Sequence, residues 1–132
     1  MDIFSFVKQY ADQIGGQFTD YDTTKSILVV PLTDGRFQTV LLLLEKSKAS
    51  GKPRAVLASK VCEYTPGINL KDLLEQNARF EYSKFIIDEG NLKVEASFPT
   101  DGFSEDEIKH MIQEVANLAD SYELKLTSKD IH

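Results

Sequence analysis

Histidine, cysteine and clustered carboxylates are the side chains most apt for chemistry, and this chain offers few of them. Its 132 residues include two histidines, His110 and His132, and one cysteine, Cys62. No H-x-x-x-H, C-x-x-C or H-E-x-x-H spacing occurs, so a metal site would have to be assembled from scattered carboxylates. A nucleophile needs an adjacent base, and nothing in the local sequence of Cys62 or His110 brings the two together. Cys62 reads as a small apolar thiol on a strand. His110 stands beside Met111, off the apolar stripe of the last helix, and reads as a surface residue.

Other candidate groups have equally plain readings. The acidic cluster "SEDE" (104–107) suits a helix N-terminus, where the backbone dipole favours anions. The glycines fall in turn-like tetrads, "TDGR", "ASGK", "TPGI" and "DEGN", and none builds a loop that cradles phosphate. "KSKASGKPR" gathers Lys46, Lys48, Lys52 and Arg54, which could touch an anionic partner but equally suit a solvated hairpin end. No catalytic residue, metal or cofactor is assigned, and the chain is expected not to be an enzyme. A regulatory protein without a catalytic site, an enzyme whose site assembles only in three dimensions, and a regulator acting on nucleic acid through the basic loop are the alternatives.

Composition sets the frame for whatever positions these residues. The length suits one domain with a self-sufficient core. Hydrophobic residues make up 42% and charged residues 27%, the balance of a folded globular chain. A net charge of −6 repels phosphate backbones and argues against general nucleic-acid binding. The first residues, "MDIFSFVKQYADQIGG", lack a basic n-region and a small-residue cleavage site, so no signal peptide is expected. The longest apolar run, "VLLLL", is far below the roughly 20 residues needed to cross a bilayer. A soluble cytoplasmic protein follows as the expectation.

Periodicity then places the elements. Ile3, Phe6, Val7, Tyr10 and Ile14 recur at helical steps, Asp2 favours the start, and Gly15-Gly16 marks the stop. "QFTDY" is a candidate short strand. "SILVVPL" and "FQTVLLLLEK" flank Asp34-Gly35, a strong hairpin signal, and "RAVLASKVCEYT" is a further long strand. Asn69 caps a short helix carrying Leu70, Leu73 and Leu74. "EYSKFIID" and "NLKVEASF" bracket "EG" as a second hairpin. Ser104 and Glu107 form a capping box, with Phe103 as hydrophobic staple, for a long helix with Ile108, Met111, Ile112, Val115, Leu118, Ala119 and Tyr122 along one face. The fold class is α+β, an antiparallel sheet in the order α-β-β-β-α-β-β-α, with the short strand as an additional member.

One feature does not balance. "NLKVEASF" is apolar on alternate positions, as a strand with one wet face should be. "ILVV" (27–30) and "VLLLL" (40–44) are apolar on both parities, the pattern of strands buried on two sides. The long helix covers one side. The other is either covered by the first helix or left as an apolar face for a second copy or a partner peptide.

The order of elements and the second half of the chain resemble the secretion-chaperone-like superfamily, which holds the class I type III secretion chaperones (the Tir-chaperone family) and the YbjN-like proteins. The resemblance spans nearly the whole chain. It rests on Leu73, Leu74 and Asn77 in the short helix, on Phe85, Ile87, Asp88 and Gly90 in the strand and turn, and on Phe98-Pro99 with Asp101-Gly102 in the connector. The stretch "GGQFTDYDTTKSILVVPL" lacks the acidic-Gly-x-Cys-type hairpin of the secretion chaperones, so the YbjN-like branch is favoured. The resemblance implies a non-enzymatic cytoplasmic homodimer that holds an extended segment of a partner protein, without nucleic acid, membrane, metal or cofactor. By that resemblance the dimer interface falls on Leu70, Leu73, Leu74 and Tyr82, and the partner-binding surface on Phe4, Val7, Val40 and Leu42.

Overall fold

The computed structural model describes residues 2–102 and 104–127. Phe103, expected to staple the last helix, and His132 lie outside the described residues. The elements run α1 (Ile3–Gln13), β1 (Gln17–Asp20), β2 (Lys25–Pro31), β3 (Phe37–Lys46), β4 (Pro53–Glu63), α2 (Leu70–Asn77), β5 (Lys84–Asp88), β6 (Asn91–Pro99) and α3 (Glu105–Thr127). The six strands form one antiparallel sheet in the order β1-β2-β3-β4-β6-β5. "QFTDY" is therefore a strand, at the sheet's edge.

Local chemistry starts and stops each element. The Asp2 carboxylate accepts the Phe4 N–H at 3.1 Å, capping α1. At its other end Gly15, with φ +74°, and Gly16 return their N–H groups to Asp12 and Ala11 at 3.2 and 2.8 Å, a Schellman turn. Gly16 then passes so close to the Val29 carbonyl of β2 that a β-carbon would meet that backbone oxygen. Asn69 accepts the Asp72 N–H at 3.1 Å to start α2, and Ser104 accepts the Glu107 N–H at 3.1 Å to start α3. The β5–β6 hairpin turns on Glu89 and Gly90, with φ of 51° and 78°, the left-handed pair that a two-residue turn requires.

Both long helices lie on the same face of the sheet. The core they close takes Val7 and Tyr10 from α1 and Ile108, Ile112 and Val115 from α3. Leu28, Val40, Leu42, Leu57, Val94 and Phe98 rise to meet them from the sheet. α1 sits over β1 and β2, while α3 crosses β3, β4 and β6. Along α3, Leu118 and Tyr122 are half-buried at the margin, and the stripe is completed instead by Ala116 and Asp120.

Polar ties hold the helices in register. The Tyr10 hydroxyl accepts the Gln113 amide at 2.8 Å, and Lys109 lies 6.0 Å from the Phe6 ring centre. Arg36, in the β2–β3 connection, presents its guanidinium to the buried Asp120 carboxylate, with Nε at 3.1 and 3.2 Å from its two oxygens. Glu114 accepts three backbone N–H groups from the segment ahead of β5: Glu81 at 2.9 Å, Tyr82 at 2.9 Å and Ser83 at 2.8 Å. Burial raises the Glu114 pKa, but hydrogen bonding from Ser83, Tyr82 and Glu81 outweighs it and holds the carboxyl below its usual range.

Two outcomes follow for stability. A depressed folded-state pKa stabilises above the ordinary glutamate value of about 4.3 and is lost as pH falls through the lower folded value. Glu114→Gln should therefore lower the urea midpoint at pH 7, by about 1–2 kcal/mol in stability, while at strongly acid pH variant and parent converge. Gly16→Ala should cost about 1–3 kcal/mol, because the obstacle is the β2 backbone rather than a movable side chain. Urea unfolding of the two variants against the parent, at pH 7 and at acid pH, measures both.

Candidate functional site

Strand alternation sorts the middle of the sheet into two faces. The register sets Ile27 opposite Leu41, Leu41 opposite Ala58, and Leu43 opposite Val56. These side chains point away from α1 and α3, and among the described residues no helix lies over them. With Val29 they form a continuous apolar patch across β2, β3 and β4. Val56 is only 5% exposed, yet it stands apart from the cluster that the helices close. Its cover comes from neighbours on the uncovered face alone. Ile86 of β5 lines the same shallow groove with Leu41, Leu43, Val56 and Ala58, a hollow of about 370 Å³.

Charged side chains frame the patch. Arg54 and Glu45 face each other across β3 and β4 at 3.5 Å, and Lys93 meets Asp88 at 2.9 Å. Lys60 is opposite Lys93 in the register, and Lys84 is opposite Glu95. Lys25 is opposite Leu43. The open face is thus apolar at its centre and ionic around it, the anatomy of a surface that buries against another polypeptide.

Several of the residues expected to touch a partner are placed elsewhere. Val7, Val40 and Leu42 are 0% exposed and lie between the sheet and its helices, so a partner has no access to them. Phe4 is half-buried against the same core. The correction for the strands is a single step in parity. Leu41 and Leu43 face outward where Val40 and Leu42 face inward, and a run apolar at every position carries no signal to separate them. Nor does α1 cover the second side, because it shares the first with α3.

The residues expected at a dimer interface divide. Leu74 and Leu70 of α2 are 68% and 38% exposed, adjacent turns of one helix face. Leu73 is buried in the core, and Tyr82 is half-buried against it. Cys62 lines a cleft of about 560 Å³ between α2 and the end of α3, which holds Glu63 and Asp72 and, among the described residues, no histidine. His110 is exposed on α3. Among the described residues no group of three or more His, Cys, Asp or Glu could hold a metal ion, and no helix is long and apolar enough to cross a membrane. Lys46, Lys48 and Lys52 are exposed in and beside the β3–β4 turn.

Against the models of protein families this chain has no match, and no curated protein matches it.

Substitution at neighbouring positions separates the faces. Leu42→Ala should cost about 2–5 kcal/mol as a sealed core cavity. Leu41→Ala should cost about 1 kcal/mol, since its side chain is already half in water. Chemical denaturation of the pair reads the difference, and equal costs would mean that both faces are covered.

Proposed function

We propose that this chain is a non-enzymatic, chaperone-like binding protein of the secretion-chaperone-like kind, nearest its YbjN-like branch. In this reading it acts in the cytoplasm as a homodimer and holds an extended segment of a partner protein. The observation that carries the reading is the half-buried apolar patch of Ile27, Leu41, Leu43 and Ala58 around the buried Val56, on the face without a helix over it and bordered by ions. Apolar area of this sort is costly in water at about 25 cal/mol per Å², and a bound polypeptide recovers that cost. The element order agrees with the family's, with one strand added at the edge. Leu70 and Leu74 give α2 an exposed apolar face where the family resemblance sets the dimer contact.

Chromatography with light scattering tests the assembly. The parent protein is expected to run as a dimer at micromolar concentration, and Leu70→Glu with Leu74→Glu as a folded monomer. A parent that is strictly monomeric removes the dimer. Suppression of aggregation of a denatured client protein tests the binding. It is expected to be lost in Leu41→Ser with Leu43→Ser and retained in the α2 variants. Equal suppression by all forms would move the binding surface off the open face.

A further inference from the structure

The hollow on the open face has one cause in the sequence, a small side chain where its neighbours are large. Ala58 is the smallest outward residue of β4, set between Leu41 of β3 and Glu95 of β6 in the register. Leu43, Val56 and Ile86 line the hollow with it, and the space is about 370 Å³. Ligand pockets run from about 300 to 1,000 Å³, so this one suits one or two side chains rather than a cofactor-sized molecule.

Charge around the hollow is balanced. Its lining includes Lys48, Arg54 and Lys93 and also Glu45, Asp88 and Glu95, three cations against three carboxylates. Arg54 and Glu45 are already closed at 3.5 Å, Lys93 and Asp88 at 2.9 Å, and Glu95 has Lys84 across the strand pair. A ligand charge of either sign would meet a like charge beside each opposite one. It would give up water for no net attraction.

We propose that this hollow is the specificity pocket of the open face, taking one bulky apolar side chain from an extended, uncharged segment of a partner protein, with Ala58 as the residue that admits it. This rests on the binding reading above and specifies its partner. In an extended segment the side chains on one side repeat about every 7 Å, so an anchor over Ala58 leaves its neighbours on the surrounding patch. Interfaces concentrate their binding energy at such enclosed anchors. A second copy is a poor match in shape. Its own Ile27, Leu41, Leu43 and Ala58 are half-buried, and hollow would lie on hollow. Phe37, 63% exposed, is the prominent aromatic of the outward parity on β3, and it stands four residues from Leu41 at the strand's far end.

Fluorescence anisotropy with the full-length protein tests this. The probe is a labelled peptide, Ser-Thr-Val-Thr-Phe-Thr-Val-Thr-Ser, compared with a form carrying Ala for Phe and with forms carrying Glu or Lys for both end serines. The uncharged Phe peptide is expected to bind tightest, with an affinity that salt leaves unchanged. Alanine for its Phe should weaken binding by about tenfold or more. Ala58→Leu, which fills the hollow and should keep the parent's circular dichroism, should do the same. Tighter binding of the Glu or Lys form overturns the uncharged partner. Binding indifferent to both the peptide's Phe and Ala58→Leu, yet lost in Leu41→Ser with Leu43→Ser, overturns the pocket and leaves the open face in place. If no peptide binds while the parent still suppresses client aggregation, the pocket falls alone; if that suppression is absent too, the binding reading falls with it. A solution dimer lost in Phe37→Ser would make a second copy the occupant and overturn the proposal.

Discussion

The structure depends on where the chain lets its helices land. α1 leaves through a tight left-handed turn at Gly15, and Gly16 must then pass against the β2 backbone with no room for a side chain. That close passage sets α1 on one side of β1 and β2. α3 returns to the same side over β3, β4 and β6, locked by Tyr10–Gln113, Arg36–Asp120 and the Glu114 clasp. Two helices side by side make one complete layer. Six strands have two faces, and among the described residues α2 also packs on the first, through Leu73, leaving the second without a helix.

That asymmetry is written into the strands. β6 alternates cleanly, with buried Leu92, Val94, Ala96 and Phe98 against Lys93, Glu95 and Ser97. β2 and β3 do not, and their surplus residues are the ones left outward. A strand needing only one buried face has no reason to place Ile27, Leu41 and Leu43, each half-buried, on its other side.

Much of the architecture was legible. Helix α3 declares itself through Ser104 and through apolar positions at steps of three and four, and α2 through Asn69. The turns at Asp34-Gly35 and Glu89-Gly90 are marked by their glycines, which adopt positive φ freely. What escaped were relations that depend on distance along the chain. Arg36 and Asp120 are 84 residues apart, and nothing local to Asp120 shows that its carboxylate is needed in a core stripe. The Glu114 clasp is likewise invisible, because its partners are backbone N–H groups rather than recognisable side chains. The sidedness of β3 was unreadable for a different reason. Period-two reasoning needs polar residues to mark the wet parity, and "VLLLL" contains none, so Val40 and Leu42 were as eligible as Leu41 and Leu43.

At the margin of the sheet, α2 contributes one further device. The Asn77 side chain accepts the outward-pointing N–H of Phe85 at 2.7 Å, occupying a donor that a neighbouring strand would otherwise seek. Edge donors left open invite sheet-to-sheet growth into fibrils. At β5 that growth begins with a site already taken, whereas at the opposite border β1 spans only four residues. A protein that must keep an oily surface in water without polymerising has thus guarded both ends of its sheet, one by an amide plug and the other by brevity.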